Sequence, residues 1–482
     1  QDKDWFVKLN YTDNVTHTPQ AIDPYFPRVD SSEEWKTYGG LNWAEQSALM
    51  GGTIDTKKTE LSFGRRQQAG NLEWGWQLGT IHQNKQALFQ KIVNGLMFGT
   101  NTFKNNIYNA SVDGTWKMGN HLLEFLLSGS KETMDVGFAT NYTYSSGYNI
   151  DRYKDYFLPK YNMSNYYFQL QDTMKLDDSG SLTFTPLVRS QRSNMGIEIQ
   201  NGKGWLNSYN LALKKKFDKH LTARVTYGTY YRLPSWYEIF GDGINLVSRW
   251  QNYRSNSTWS PDVFAEHGQN WDASLNWTGR LLGSDSDTTL TYFRRNSENT
   301  MTTMFNPIWG ATWYANFGTG EVHGVEFNSK LHWHRYDLSL AATWQNSLVK
   351  QGYTPGANMS NTAWQGQPLP WTPAWTVNAR LDYRFPGDKL SIFGEYNWTD
   401  KLSWFNNGGV AAYYDPLGLF NIGMKYNFDK QLRLIAGVND IGNKGPKQMM
   451  HSEGDPGQLI TEYTVPYPQQ GRTFYMTLEY SF

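Results

Sequence analysis

The sequence predicts an all-β chain, a transmembrane antiparallel β-barrel of about 18 strands. Three observations carry this expectation. The 482 residues include 21 Trp, 31 Tyr and 25 Phe, yet only 39% are hydrophobic and the mean hydropathy is −0.65. Runs of period-two alternation recur along the chain. Short turns alternate with long polar or aromatic segments between those runs. A soluble enzyme of this length carries more Leu, Ile, Val and Ala. In a membrane barrel only alternate residues meet lipid, ~9–11 residues suffice to cross, and Tyr and Trp gather at the two surfaces. Nowhere do about 18 apolar residues run together, so no transmembrane helix is expected.

The last strand shows the pattern. In "GRTFYMTLEYSF" Phe474, Met476, Leu478, Tyr480 and Phe482 share one face, and Thr473, Thr477, Glu479 and Ser481 share the other. In "HLTARVTYGTY" Leu221, Ala223, Val225 and Tyr227 alternate with Thr222, Arg224, Thr226 and Gly228. In "WTVNARLDYRF" Arg380, Asp382 and Arg384 lie opposite Ala379, Leu381 and Tyr383. A face with two arginines does not fit a dry sandwich core but fits a wet lumen. Taken in order, strands are expected over 4–12, 57–67, 72–84, 105–117, 120–131, 163–176, 181–193, 205–217 and 220–232. They continue over 265–277, 287–298, 320–333, 336–349, 373–385, 389–399, 417–428, 431–440 and 471–482.

Hairpin turns are read at Ala69-Gly70-Asn71, Gly119-Asn120, Asp177-Asp178-Ser179-Gly180, Asp218-Lys219, His334-Arg335, Pro386-Gly387-Asp388 and Asp429-Lys430. The long segments 13–56, 85–104, 131–162, 194–204, 233–264, 299–319, 350–372, 400–416 and 441–469 are then extracellular loops. An even strand number brings both ends of the chain to the periplasmic side. Within the loops, 34–56 reads either as a further strand or as a loop excursion, and "QALFQKIVNGLMF" (86–98) as a short surface helix. The start, "QDKDWFVKLNYT", is polar and strand-like, as in a mature chain whose leader has been removed.

Charge and cysteine narrow the function. Lys plus Arg equals Asp plus Glu at 44 each, which points away from nucleic acid. The sequence holds no cysteine, so disulfides and thiolate metal sites are excluded, in keeping with an envelope protein.

The motifs of the C-terminal half resemble those of TonB-dependent outer-membrane transporters. "TYYRLPSWYEIFGDG" (229–243) is similar to the family's strand-end Phe-Arg-Ala-Pro and the Glu-Leu-Tyr-like stretch after it. Tyr231, Arg232, Leu233 and Pro234 stand for the first part, and Tyr237, Glu238, Ile239 and Phe240 for the second. "YANFGTGEVHGVEFNSKLHW" (314–333) resembles its Tyr-x-Asn followed by Gly-Val-Glu. "AGVNDIGNKGP" (436–446) and the C-terminal Gly-Arg start with its aromatic finish complete the set. Over 1–228 the match is one of pattern only. The resemblance implies a 22-stranded barrel closed by an N-terminal plug, with a Gram-negative-type outer membrane as its location. Residues 1–482 read as a single barrel domain without a plug, so the plug and four strands are expected from elsewhere. A second, plug-bearing polypeptide is the preferred source; a cut chain and a plugless pore are the alternatives.

The implied function is TonB-dependent uptake of a scarce solute: an iron–siderophore, haem or cobalamin. The partners are outer-membrane lipid, a plug-bearing chain, the TonB system acting through that plug, and a small metal chelate. "GDGINLVSRW" stands where haem receptors carry Asn-Pro-Asn-Leu, which weakens haem. A self-closed 18-stranded porin with an aromatic-lined channel is the competing reading. A surface adhesion barrel is the third.

Candidate ligand-binding residues are the loop aromatics and arginines Trp236, Tyr237, Arg249, Trp250, Arg254, Trp309, Trp313, Tyr314 and Trp404. Flat aromatic faces suit conjugated ligands, and guanidinium groups suit carboxylates or a negatively charged ferric chelate. Some of these rings also belong to the outer aromatic girdle. Arg224, Arg232 and Glu326 point inward and are candidates for lining the lumen or for plug contact. His332-x-His334 places two rings beside a turn without an acidic partner at ligand spacing, and reads as a periplasmic rim feature, as do His121 and His220. No nucleophile-elbow or nucleotide loop is present, so no catalytic residue, resident metal or cofactor is expected and the protein is read as no enzyme.

Overall fold

In hydrocarbon no water is available to satisfy main-chain N–H and C=O groups, so the wall must pair strand to strand. The computed structural model describes residues 5–18, 37–38, 41–42, 52–92, 96–140, 161–194, 199–200, 204–235, 238, 263–306, 311–316, 318–354, 359–360, 364–406, 409–452, 462–464 and 471–480. Eighteen long strands form one antiparallel sheet. They are β1 (Trp5–Thr18), β2 (Gly52–Ala69), β3 (Leu72–Ile92), β4 (Leu96–Met118), β5 (His121–Thr140) and β6 (Tyr161–Lys175). Next come β7 (Leu182–Asn194), β8 (Leu206–Lys216), β9 (Leu221–Arg232), β10 (Glu266–Leu281), β11 (Ser284–Glu298) and β12 (Gly318–His332). The last are β13 (Tyr336–Thr354), β14 (Trp375–Arg384), β15 (Leu390–Thr399), β16 (Leu417–Asn427), β17 (Leu432–Asn439) and β18 (Thr473–Tyr480). Each pairs with the next in sequence, from Trp5↔Arg65 to Leu432↔Tyr480.

Every strand of the sequence reading has its counterpart here. Several run further than expected. β3 and β4 are 21 and 23 residues long, and their ladder continues from Leu72↔Trp116 to Ile92↔Leu96. This corrects the helix expected over 86–98: both described arms of that segment are strand, because pairing already under way continues up the ladder. The segment 34–56 contributes a two-residue pairing, Thr37–Tyr38 with Leu41–Asn42, and then the start of β2, so no further wall strand is described there. A turn not read from the sequence, Leu282-Gly283, joins β10 to β11 with both residues at positive φ (51° and 76°), the geometry of a type I′ hairpin.

The two faces differ as period two requires. Val225, Leu275, Leu290, Leu381, Phe420 and Ile422 stand exposed on one face. The opposite face carries Glu60, Glu132, Gln171, Arg295, Arg380 and Glu395 in hydrogen bonds or ion pairs. Apart from Pro and Gly, only eight apolar residues are buried among the described ones, the inverse of a water-soluble protein. The apolar face is the lipid face and the polar face lines the lumen. At the periplasmic end of β1, Trp5 stacks on Phe63 at 5.2 Å, with the Arg65 guanidinium 5.1 Å from its ring, an interfacial anchor.

Among the described residues the sheet has two free edges. Among the described residues no register joins β1 to β18. Outward residues there are the barest of the wall: Val7 is 71% exposed, Phe474 77% and Met476 76%, against 47% for Leu290 within it.

Three periplasmic turns are held by aspartates. Asp218 Oδ1 accepts the N–H groups of His220 (2.7 Å) and Leu221 (2.8 Å), and Asp429 Oδ1 those of Gln431 (2.7 Å) and Leu432 (2.8 Å). Asp177 accepts from the Ser181 hydroxyl (2.6 Å), the Leu182 N–H (3.0 Å) and Lys215 Nζ (3.3 Å). These donors hold all three carboxyl groups below the usual range. Their stabilisation is therefore complete above the ordinary carboxylate value of about 3.9 and is lost as pH falls through the lower folded values. The thermal unfolding temperature in detergent is expected to drop below about pH 4; Asp218→Ala and Asp429→Ala lower it already at pH 7 and flatten the acid drop.

Candidate functional site

The residues that cluster on the inner face at the long-loop end of the wall come from strand ends brought level by register. Arg232 lies opposite Glu266, and Arg295 opposite Asn270 four pairs below. Alternation turns Tyr230, Arg232, Glu266 and Arg295 to the same inner face. The Glu266 side chain is almost fully buried and accepts from Arg295 Nη2 (3.0 Å) and the Tyr230 hydroxyl (3.2 Å), with Arg232 Nε at 3.5 Å. Arg295 Nε also donates to Tyr230 (3.0 Å), and its guanidinium lies 4.3 Å from that ring's centroid. Arg232 Nη1 donates to Glu238 Oε1 (2.7 Å), while Glu238 Oε2 accepts the Ser235 N–H (2.7 Å) and hydroxyl (3.0 Å). The Ser235 hydroxyl in turn accepts the Glu238 N–H at 3.3 Å, the reciprocal pattern of a capping box. The motif at 229–243 thus fastens the root of its loop to the wall.

The other motifs do the same. Asn316 is wholly buried; its Oδ1 accepts from the Phe264 N–H (3.1 Å) and its Nδ2 donates to the Phe264 and Asn299 carbonyls (3.1 and 2.5 Å). Gly324 packs so closely that a Cβ there would meet the Trp344 carbonyl oxygen at 2.1 Å. Asp440, 2% exposed and at φ 45°, accepts the N–H groups of Lys444 (2.9 Å) and Gly445 (2.8 Å) and donates its own to Asn421 (2.8 Å). Pro234, Val349, Trp364 and Leu369 are buried near the same rim. Lower in the lumen, Arg380 holds Asp382 through two bonds (2.8 and 2.9 Å) and Glu395 through a third (3.4 Å), with Asn397 also on Glu395 (2.6 Å).

The structure brings Arg232 into the rim cluster but leaves Arg224 and Glu326 exposed in the lumen, with no ion pair among the described residues. Trp236, Tyr237, Arg249, Trp250, Arg254 and Trp309 lie outside the described residues. The main chain of Trp313 and Tyr314 pairs with Met304 and Thr303, and that of Trp404 with Ala412, in small sheets separate from the wall. Sequence reasoning missed Glu266, Arg295 and Tyr230. Their alternation was legible; their common height was not. It also missed the acidic partner of His332: Asp337, across the turn, hydrogen-bonds that ring and lies 3.3 Å from Arg384. His121 pairs with Asp172 at 2.7 Å, and His220 Nδ1 bonds the Thr278 carbonyl oxygen at 2.6 Å, both at the periplasmic rim. No cluster of three potential metal ligands occurs among the described residues.

A family model described as TonB dependent receptor-like, beta-barrel, matches residues 3–441. Among solved structures the chain is similar to the copper transporter OprC, at 14% identity and TM-score 0.64, over 90% of this chain and 66% of that one. It is similar to BauA, the ferric preacinetobactin receptor of Acinetobacter baumannii, at 12% identity and TM-score 0.63, over 100% of this chain and 70% of that one. It is also similar to the ferric citrate transporter FecA, at 13% identity and TM-score 0.63, over 99% of this chain and 67% of that one. The chain thus spans about two thirds of the length of these proteins. No curated protein sequence matches it.

Two expectations follow from the rim. Glu266→Gln removes the carboxylate from Arg295 and leaves Arg232 with Glu238 alone; because both guanidinium groups are partly exposed, the cost is about 1–2 kcal/mol rather than that of a fully buried pair. Limited proteolysis should then cut within 233–262 faster than in the unaltered protein. Gly324→Ala costs about 1–3 kcal/mol through main-chain displacement, read as earlier loss of the folded form on heating before electrophoresis.

Proposed function

We propose that this chain, which belongs to the TonB-dependent receptor β-barrel family, forms the larger part of an outer-membrane receptor wall for energised uptake of a scarce metal chelate. The two free strand edges carry this reading. Unpaired N–H and C=O groups facing lipid are not tolerated, so further strands must lie between β18 and β1. β1 rises from the periplasmic side and β18 descends to it, so the number added is even. Four strands would bring the wall to the 22 that the family resemblance implies. These strands, and a plug in the lumen, come from sequence outside residues 1–482, either a segment of the same polypeptide or a second one. The plug would be the part on which the TonB system acts.

The ferric and copper cargoes named for the similar structures support a metal chelate as solute. So do the aromatic residues and arginines of the extracellular loops, with Trp236, Tyr237, Arg249, Trp250, Arg254, Trp309, Trp313, Tyr314 and Trp404 as the proposed contacts. The self-closed porin lacks a described β1–β18 ladder to support it.

The test is native mass spectrometry of the receptor extracted from the outer membrane, with binding of ferric siderophores to the same preparation. The expected result is polypeptide mass beyond residues 1–482, chelate binding, and slow growth of a deletion strain under iron limitation. A barrel of these residues alone that conducts ions steadily and binds no chelate would overturn the proposal in favour of the porin.

A further inference from the structure

The outer face of the wall changes character along β8 to β11. From the periplasmic turns upward it is apolar or aromatic: Leu213 and Leu211 on β8, Val225 and Tyr227 on β9, Leu275 and Trp271 on β10, Leu290 and Tyr292 on β11. Above these residues the outward positions turn polar. Period two brings Asn207, Thr229, Gln269, His267, Asn296 and Glu298 to the outside. At ~3.3 Å per residue on a strand tilted ~35–45°, Gln269 stands about 30 Å above the Leu282-Gly283 turn, beyond the ~25 Å apolar band. These side chains therefore meet the headgroups of the outer leaflet and not its acyl chains.

They surround a hollow of about 380 Å³ on the outside of the barrel, whose lining includes Tyr209, Tyr231, His267, Gln269, Asn296 and Glu298. Tyr231 and His267 stack with ring centroids 5.5 Å apart and planes 16° from parallel. His267 Nε2 lies 3.2 Å from Glu298, so the charges of the imidazolium form and the carboxylate offset each other. Gln269 and Asn296 face each other in the register and are exposed; neither amide has a hydrogen bond among the described residues. A second hollow of about 420 Å³ adjoins the first, because Trp205 and Asn207 are successive outward residues of one segment. Tyr166 and the exposed Arg192 line it with Trp205, and Arg192 has no ion pair among the described residues. An aromatic girdle requires rings alone. Here rings, free amides and a carboxylate converge on one concave surface.

We infer that the hollow at Tyr231 and Gln269 binds the saccharide headgroup of a glycolipid of the outer leaflet. A flat aromatic face packs on the C–H face of a sugar ring. Two amides and a carboxylate offer both donors and acceptors to neighbouring hydroxyl groups. The balanced charge of His267 and Glu298 suits hydroxyls, and Arg192 next door suits a phosphate on the same headgroup. The apolar wall directly below, with Leu211 and Trp271 exposed, takes the acyl chains, which assigns the sugar to a lipid and not to a free glycan. The site lies outside the lumen, so it stands apart from the uptake reading and holds for a receptor or a porin alike.

The experiment takes the protein as extracted from the outer membrane, removes bound lipid, and places it in nanodiscs of phosphatidylcholine. Rough-type lipopolysaccharide, phosphatidylglycerol or the water-soluble core oligosaccharide is then titrated in, and bound molecules are counted by native mass spectrometry. The inference expects saturable binding of lipopolysaccharide. Tyr231→Ala, and separately Gln269→Ala with Asn296→Ala, should weaken it about threefold to tenfold, the loss of one ring contact or of one or two hydrogen bonds. Tyr108→Ala removes an exposed outward ring on β4, away from the hollow, and should leave binding unchanged. Heat-dependent migration on electrophoresis verifies that each variant is folded. Phosphatidylglycerol binding as tightly as lipopolysaccharide, or Tyr108→Ala weakening binding as much as Tyr231→Ala, overturns the inference in favour of an unspecific girdle. Equal binding of the soluble oligosaccharide overturns the assignment to a lipid.

Discussion

The structure depends on one constraint: a main chain crossing hydrocarbon must spend every N–H and C=O group on another strand. The unbroken succession of antiparallel ladders from β1 to β17 and on to β18 answers it. It also explains why strand length is not set by the membrane alone. β4 has 23 residues and β17 has 8, so the wall stands much taller over β2 to β5 than over β14 to β18. Pairing persists past the bilayer wherever both neighbours continue, and ends where one departs into a loop.

A second consequence follows from the pleat. A ladder fixes height as well as neighbour, so residues distant in sequence meet on one rung. Arg232, Glu266 and Arg295 become one cluster this way. On the lipid face the same rule keeps Leu, Phe, Val and Trp together. Charge is confined largely to the lumen and the rims, where water or another carboxylate offsets it.

The motifs that carry the family resemblance turn out to hold the architecture. Arg232 and Glu238 clamp a loop root, Asn316 bonds two neighbouring main-chain segments, Gly324 allows close approach, and Asp440 closes a turn. Each of these contacts is made within the chain's own scaffold. That is consistent with a shared fold among proteins only 12–14% identical that bear different cargo names.

The sequence by itself determined the strand number, the face each residue takes and all but one of the short turns. Those features follow from period-two alternation and from Asp, Gly and Asn chemistry acting over a few residues. It misjudged 86–98, whose apolar run fits a helix as readily as a strand until the neighbouring strand is known to continue beside it. It passed over Leu282, since a leucine at positive φ carries no local signal. Tertiary structure alone decided the ladder offsets, hence which charges face one another, that Asp337 serves His332, and that β1 and β18 each have one neighbour among the described residues. Register between strands arises from the stagger of the whole wall, a quantity to which no single stretch of residues has access.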